Sequence, residues 1–152
     1  MNMHKISKTV TLSICLLLVL HVGTVDAAER IAVLSFELND ITSLPNTPAE
    51  QLRTATFKPL LEQAIQQKGG YQIMHINLEQ QRAENAGFGY LFRFHDVAAR
   101  LGKTIGADWL VVGQHSKPSF LFSYLMVNLI HVETGQLLAR FNIEPKSCKP
   151  IF

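Results

Sequence analysis

Between Leu101 and Ile143 a helix tail runs through Gly106-Ala107-Asp108-Trp109-Leu110-Val111-Val112-Gly113 into two long apolar strands joined at Val132-Glu133-Thr134-Gly135. Trp109 to Ser116 is apolar on both faces at its start, which calls for a central place in a sheet with layers above and below. Phe120 to Val132 alternates, with Leu121, Leu125, Val127 and Leu129 on one side and Phe122, Tyr124, Met126 and Ile130 on the other. Leu137, Ala139, Phe141 and Ile143 then alternate with Gln136, Leu138, Arg140 and Asn142, so the chain closes in an antiparallel meander.

Upstream of this stretch, Arg30 to Leu38 reads as a buried first strand. Thr47-Pro48-Ala49-Glu50 is a capping box with proline at the first helical position, so a helix starts there. Phe57, Leu60, Leu61, Ala64 and Ile65 share one face of it, Pro59 predicts a kink, and Gly69-Gly70 ends it. Tyr71 to Asn77 alternates as a second strand, and Leu78 to Asn85 is a polar helical turn. Phe94, Val97, Ala98, Leu101 and Ile105 recur at helical spacing up to Gly106, which marks Phe94 as core. The expected class is α/β (α+β): a mixed sheet of about five strands in the order β-α-β-α-β-β-β, with the helices on one face. The other face would then be apolar and uncovered by the chain's own helices.

The first 27 residues are set apart from this domain. His4, Lys5 and Lys8 precede an apolar run from Val10 to Val22, and Val25-Asp26-Ala27 offers cleavage positions, the pattern of a secretory signal peptide. His21 closes the longest uninterrupted apolar stretch well short of the roughly 20 residues a membrane anchor needs. The chain therefore divides into a signal peptide over 1–27, a single α/β domain over 28–144 and a tail over 145–152, in a periplasmic or secreted protein that is not integral to the membrane. Cleavage leaves 152 − 27 = 125 residues, with 14 − 2 = 12 basic and 12 − 1 = 11 acidic side chains. A net charge of 12 − 11 = +1 is no nucleic-acid footprint. Cys148 is then the sole cysteine, which excludes an internal disulfide and leaves a spare thiol in the tail, favoured, or half of an intermolecular bridge.

Chemistry-bearing motifs do not accompany this framework. His75, His95, His115 and His131 are scattered without the close pairing of a metal site, no serine lies in a nucleophile elbow, and Gly87-Phe88-Gly89 follows a polar helix with no lysine behind it. No cofactor, metal or catalytic residue is expected. What stands out is Gly87 to Phe94, four aromatics among two glycines. Phe88, Tyr90 and Phe92, with Phe122 and Tyr124 of the long strand, are the candidate partner-binding residues, because aromatics are enriched in recognition surfaces.

Ile31-Ala32-Val33-Leu34-Ser35-Phe36, Ala98-Ala99-Arg100-Leu101-Gly102 leading to Gly106 through Gly113, and the hairpin Val132 to Leu138 together resemble an α/β domain of bacterial envelope proteins. It is shared by the amino-terminal part of TolB, the curli secretion lipoprotein CsgG and the penicillin-binding-protein activator LpoB, and it also makes up a group of small secreted proteins of unknown function. The resemblance implies an accessory domain without cofactor or catalytic residues. The expected departures from it are the lipid-anchored cysteine, the TolB propeller and the pore-forming insertions, for which 125 residues leave no room. Three functions follow in order: a non-catalytic interaction domain docking on an envelope protein or on a second copy, a carrier of a small apolar ligand between sheet and aromatic loop, and an enzyme.

Overall fold

The computed structural model describes residues 28–144, so the expected signal peptide, the tail and Cys148 lie outside the described residues. Ten elements follow in order: β1 Glu29–Val33, β2 Glu37–Asp40, α1 Pro48–Lys68, β3 Tyr71–Met74, α2 Leu78–Glu84, α3 Tyr90–Arg93, α4 His95–Thr104, β4 Trp109–Lys117, β5 Tyr124–His131 and β6 Leu137–Ile143. They build one mixed sheet of six strands in the order β3-β1-β4-β5-β6, with β2 also paired to β4. Pairing is parallel from β3 through β1 to β4 (Ile31↔Ile73, Ile31↔Trp109) and antiparallel from β4 to β6 (Val111↔Leu129, Val127↔Phe141). The mixed α/β class and the antiparallel carboxy-terminal end agree with the sequence reading.

Six strands replace about five because the first strand is two. β1 lies along Trp109 to Val111, with the Leu34 N–H still donating to the Val111 carbonyl at 2.9 Å, and β2 lies along Gln114 to Lys117, with Ser35 and Phe36 out of the ladder between them. The ring of Phe36 occupies the place where a side chain at position 113 would stand: a Cβ built on Gly113 would come 2.0 Å from it. Local ends follow the expected chemistry. Glu50 N–H donates to Thr47 Oγ1 at 3.4 Å, Pro48 opens α1, and Gly69 closes it at φ 74° with its N–H shared between the Ile65 and Gln66 carbonyls. The helix runs through Pro59 without interruption.

The helices do not share a face, which corrects the sequence expectation. Phe57, Leu61 and Ile65 of α1 pack with Ile31, Val33, Val111 and Val127. Val97, Ala98 and Leu101 of α4 pack with Ala32, Leu34, Leu110, Val112 and Ile130, the alternate residues of the same strands. The strand order gives the reason. The chain steps from β1 to β3 in one direction and from β3 back past β1 to β4 in the other. Crossovers between parallel strands are right-handed, so reversing the step moves the helix to the opposite face.

Candidate interaction groove

On the α1 face, β5 and β6 extend the sheet beyond the helix. The hairpin from β4 onward adds strands without adding helices, so Leu125, Val127 and Leu129 of β5 share a core with α1 while Phe141 and Ile143 of β6 stand beside it, half-exposed. Together with Phe36, Phe57, Leu60, Leu61, Ala64 and Val111 they line a groove of about 430 Å³. Phe141 and Ile143 are each 50% exposed and Leu60 of the helix rim is 57% exposed. Every lining side chain is apolar, so the groove offers no general acid, base or metal ligand of its own.

A polar cluster sits beside it. His115 is fully buried, its ring edge-on to Phe57 with centroids 5.1 Å apart. The Thr54 hydroxyl donates to the Glu50 carbonyl at 2.8 Å, so its oxygen accepts from His115 Nδ1, 2.7 Å away. His115 Nε2 is left to accept from the Ser123 hydroxyl at 2.5 Å. Burial pushes the imidazole pKa down, against the opposing pull of Glu50. Both ring nitrogens are satisfied, so the histidine ties α1, β4 and the 118–123 loop together as a neutral strut. Nearby, Lys117 Nζ donates to Glu50 Oε1 at 2.5 Å, which diverts that carboxylate from the capping box.

The aromatic residues singled out in the sequence lie apart from the groove. Gly89 N–H donates to Glu37 Oε2 at 2.8 Å, and the same oxygen accepts from Gln114, which puts the Gly87 to Arg93 segment on the α4 face. Phe88 is exposed; Tyr90 is half-buried, its ring tilted at 46° to that of Phe94 with centroids 4.7 Å apart. Phe92 is buried in the α4-side core with the Arg140 guanidinium 5.6 Å from its ring centroid, so it presents no free surface. Phe94 is 46% exposed rather than core, because it caps α4 at φ −103°, ψ 87° and turns off the helical face. Phe122 is exposed in the loop before β5 and Tyr124 is half-buried, sharing the sheet face of Met126 by alternation. The apolar pocket is thus between sheet and α1, not between sheet and aromatic loop. Alternation already marked Leu125, Val127 and Leu129 as one face; Leu60, Phe141 and Ile143 became groove residues only through the strand order.

Among the described residues no helix is long and apolar enough to cross a membrane, and no group of three or more His, Cys, Asp or Glu is placed to hold a metal ion. No curated protein matches the chain. Among solved structures, it is similar to the LpoB carboxy-terminal domain from Salmonella enterica, with 16% identity, a TM-score of 0.53, and coverage of 82% of this chain and 87% of that one. The LpoB carboxy-terminal domain from Escherichia coli gives 19%, 0.51, 84% and 89% for the same measures. Lipoprotein GNA1162 from Neisseria meningitidis gives 12%, 0.51, 77% and 79%. These likenesses show an LpoB-type fold; the TolB and CsgG resemblances have no counterpart among them. Residues 29–147 match the DUF3280 family, described as "Protein of unknown function (DUF2380)", and the chain belongs to that family.

Proposed function

We propose that this chain is a non-catalytic periplasmic interaction domain that docks on a cell-envelope protein through the groove between α1 and the β5–β6 hairpin. The groove carries the reading: a contiguous, half-exposed apolar surface built from two strands and a helix is costly to leave in water and suits a partner's apolar side chains. The signal-peptide pattern of residues 1–27 supports the compartment, and the LpoB-type fold supports an accessory role. A photo-crosslinking amino acid at Leu60, on the groove rim, tests it in the periplasm against the same probe at Glu84 of α2. One discrete envelope-protein adduct from position 60 that is missing from position 84 is the expected outcome. Adducts indistinguishable between the two positions would remove the groove from docking.

A second reading, a carrier of a small apolar ligand, is favoured by the groove's volume of about 430 Å³, which falls within the usual range of ligand pockets. Native mass spectrometry of the exported chain separates the two readings, since a carrier retains added low mass and a docking domain does not.

A further inference from the structure

We propose that the outer edge of β6 pairs antiparallel with β6 of a second copy of this chain, about a two-fold axis at Phe141. The inference goes beyond the docking role of the groove and does not need it. Among the described residues nothing pairs the outer side of β6, which ends the strand order opposite β3. An unpaired edge is a template for another strand, and proteins that stay monomeric blunt it with short strands, proline, bulges or charged side chains, lysine above all. The β3 edge is blunted, with four residues. β6 is less so: it has seven residues, Leu-Leu-Ala-Arg-Phe-Asn-Ile, without lysine or proline and with one charge, Arg140. The register irregularity between Leu129 and Ile130 touches its beginning and leaves Ala139 to Ile143 in regular register with β5.

The one charge on the strand is turned away from the edge. Arg140 Nε donates to Asn128 Oδ1 at 2.8 Å, and its guanidinium lies over Phe92. Asn128 in turn donates to the Phe92 carbonyl at 3.1 Å, so the arginine is held back across the sheet on the α4 side. The sequence of β6 then selects the register. An axis at Arg140 would set two guanidinium-bearing residues opposite each other, which is destabilising. An axis at Phe141 sets Phe141 against its own copy, Ile143 against Ala139, and Arg140 against Asn142. That matching places aromatic and aliphatic pairs on the groove face and polar pairs on the other, and it lays the two grooves side by side. A second copy is the occupant this strand fits, because the complement is supplied by the strand itself.

Sedimentation velocity on the exported chain across the micromolar range should show a dimer, and Phe141→Lys, which sets like charges on the axis at a half-exposed position, should shift it to monomer while its far-ultraviolet circular dichroism keeps the parent's shape and its melt loses the parent's dependence on concentration. In a Cys148→Ser background, Phe141→Cys should form an intermolecular disulfide on mild oxidation, since directly opposed Cβ atoms lie about 4.5–5.5 Å apart. Leu138→Cys, which would face Glu144 of the copy, should not. A parent that is monomeric at every concentration, including one that takes a strand from another protein instead, overturns the pairing. So does a dimer that survives Phe141→Lys and does not crosslink at 141. A monomer that still gives the specific adduct at Leu60 sinks the pairing alone and leaves the docking role standing.

Discussion

The ring of Phe36 lies where the side chain of residue 113 would be, so close that a Cβ on Gly113 would sit 2.0 Å from one ring carbon and 2.3 and 2.5 Å from two others. The contact joins the break between β1 and β2 to the middle of β4, and Phe36 goes on to meet Phe57 of α1 at a centroid distance of 5.9 Å. Gly113→Ala is therefore expected to destabilise by about 1–3 kcal/mol through overpacking. Phe36→Leu in the same chain should recover part of the loss, and chemical denaturation midpoints of the two single variants and the double variant measure it.

Ile130 is fully buried between sheet and α4, whereas its neighbour Leu129 is only partly buried on the groove side. Ile130→Ala should cost roughly 2–5 kcal/mol. Leu129→Ala should cost clearly less, because the groove already admits water beside it. Equal midpoints for the two would place Leu129 in the closed core.

Glu50 and Lys117 form a largely buried ion pair, and Glu50 Oε2 has no partner among the described residues. Lys117→Met should then destabilise by about 1–3 kcal/mol, since it leaves the carboxylate with only the exposed Arg53 guanidinium, 3.5 Å from Oε1. Adding Glu50→Gln should restore much of that. Thermal melts of the three variants show whether the charge or the packing is at stake.

Three groups, His115, Asp40 and Asp108, give the protein an acid-side slope, and His115 and Asp108 act in separate pH windows. Burial lowers the pKa of His115, so below the ordinary histidine value of roughly 6.5 the unfolded chain takes up a proton that the folded one resists. Stability should fall as pH drops through that window, and His115→Gln should flatten the fall. Asp108 is held at about 2, first by the side-chain hydrogen bonds of Arg30 (Nη2 to Oδ1, 2.7 Å) and then by its backbone N–H. Its contribution is present above the ordinary carboxylate range and should be lost as pH falls from about 4 towards 2. Urea midpoints between pH 7 and pH 2, for the parent and for Asp108→Asn, resolve the two steps.

Phe92→Ala should cost roughly 3–5 kcal/mol, as for a core aromatic, while Phe88→Ser should stay within about 0.5 kcal/mol, as for an exposed side chain. Calorimetric melts compare them directly. A large loss from Phe88→Ser would mean that the loop closes the core.

What could be read from the sequence was whatever neighbours along the chain decide. Thr47 and Pro48 start α1, Gly69 stops it, and the turn at Glu133-Thr134-Gly135 returns the chain into β6, because caps and turns act over a few residues. Alternation likewise grouped Leu125, Val127 and Leu129 on one face. It could not say which of several similar apolar strands would stand beside which, since Ile31 meets Ile73 and Trp109 across intervals that carry no periodic signal. That strand order, set by the packing of the whole sheet, put α1 and α4 on opposite faces and left β6 half-exposed beside α1. It opened the groove there, while the aromatic segment went to the other face. Helical spacing favoured Phe94 as core, but the cap conformation of that residue turned it outward and left Phe92 inside. Periodicity ranks side chains along an ideal helix; only the tertiary structure decides where the helix actually begins.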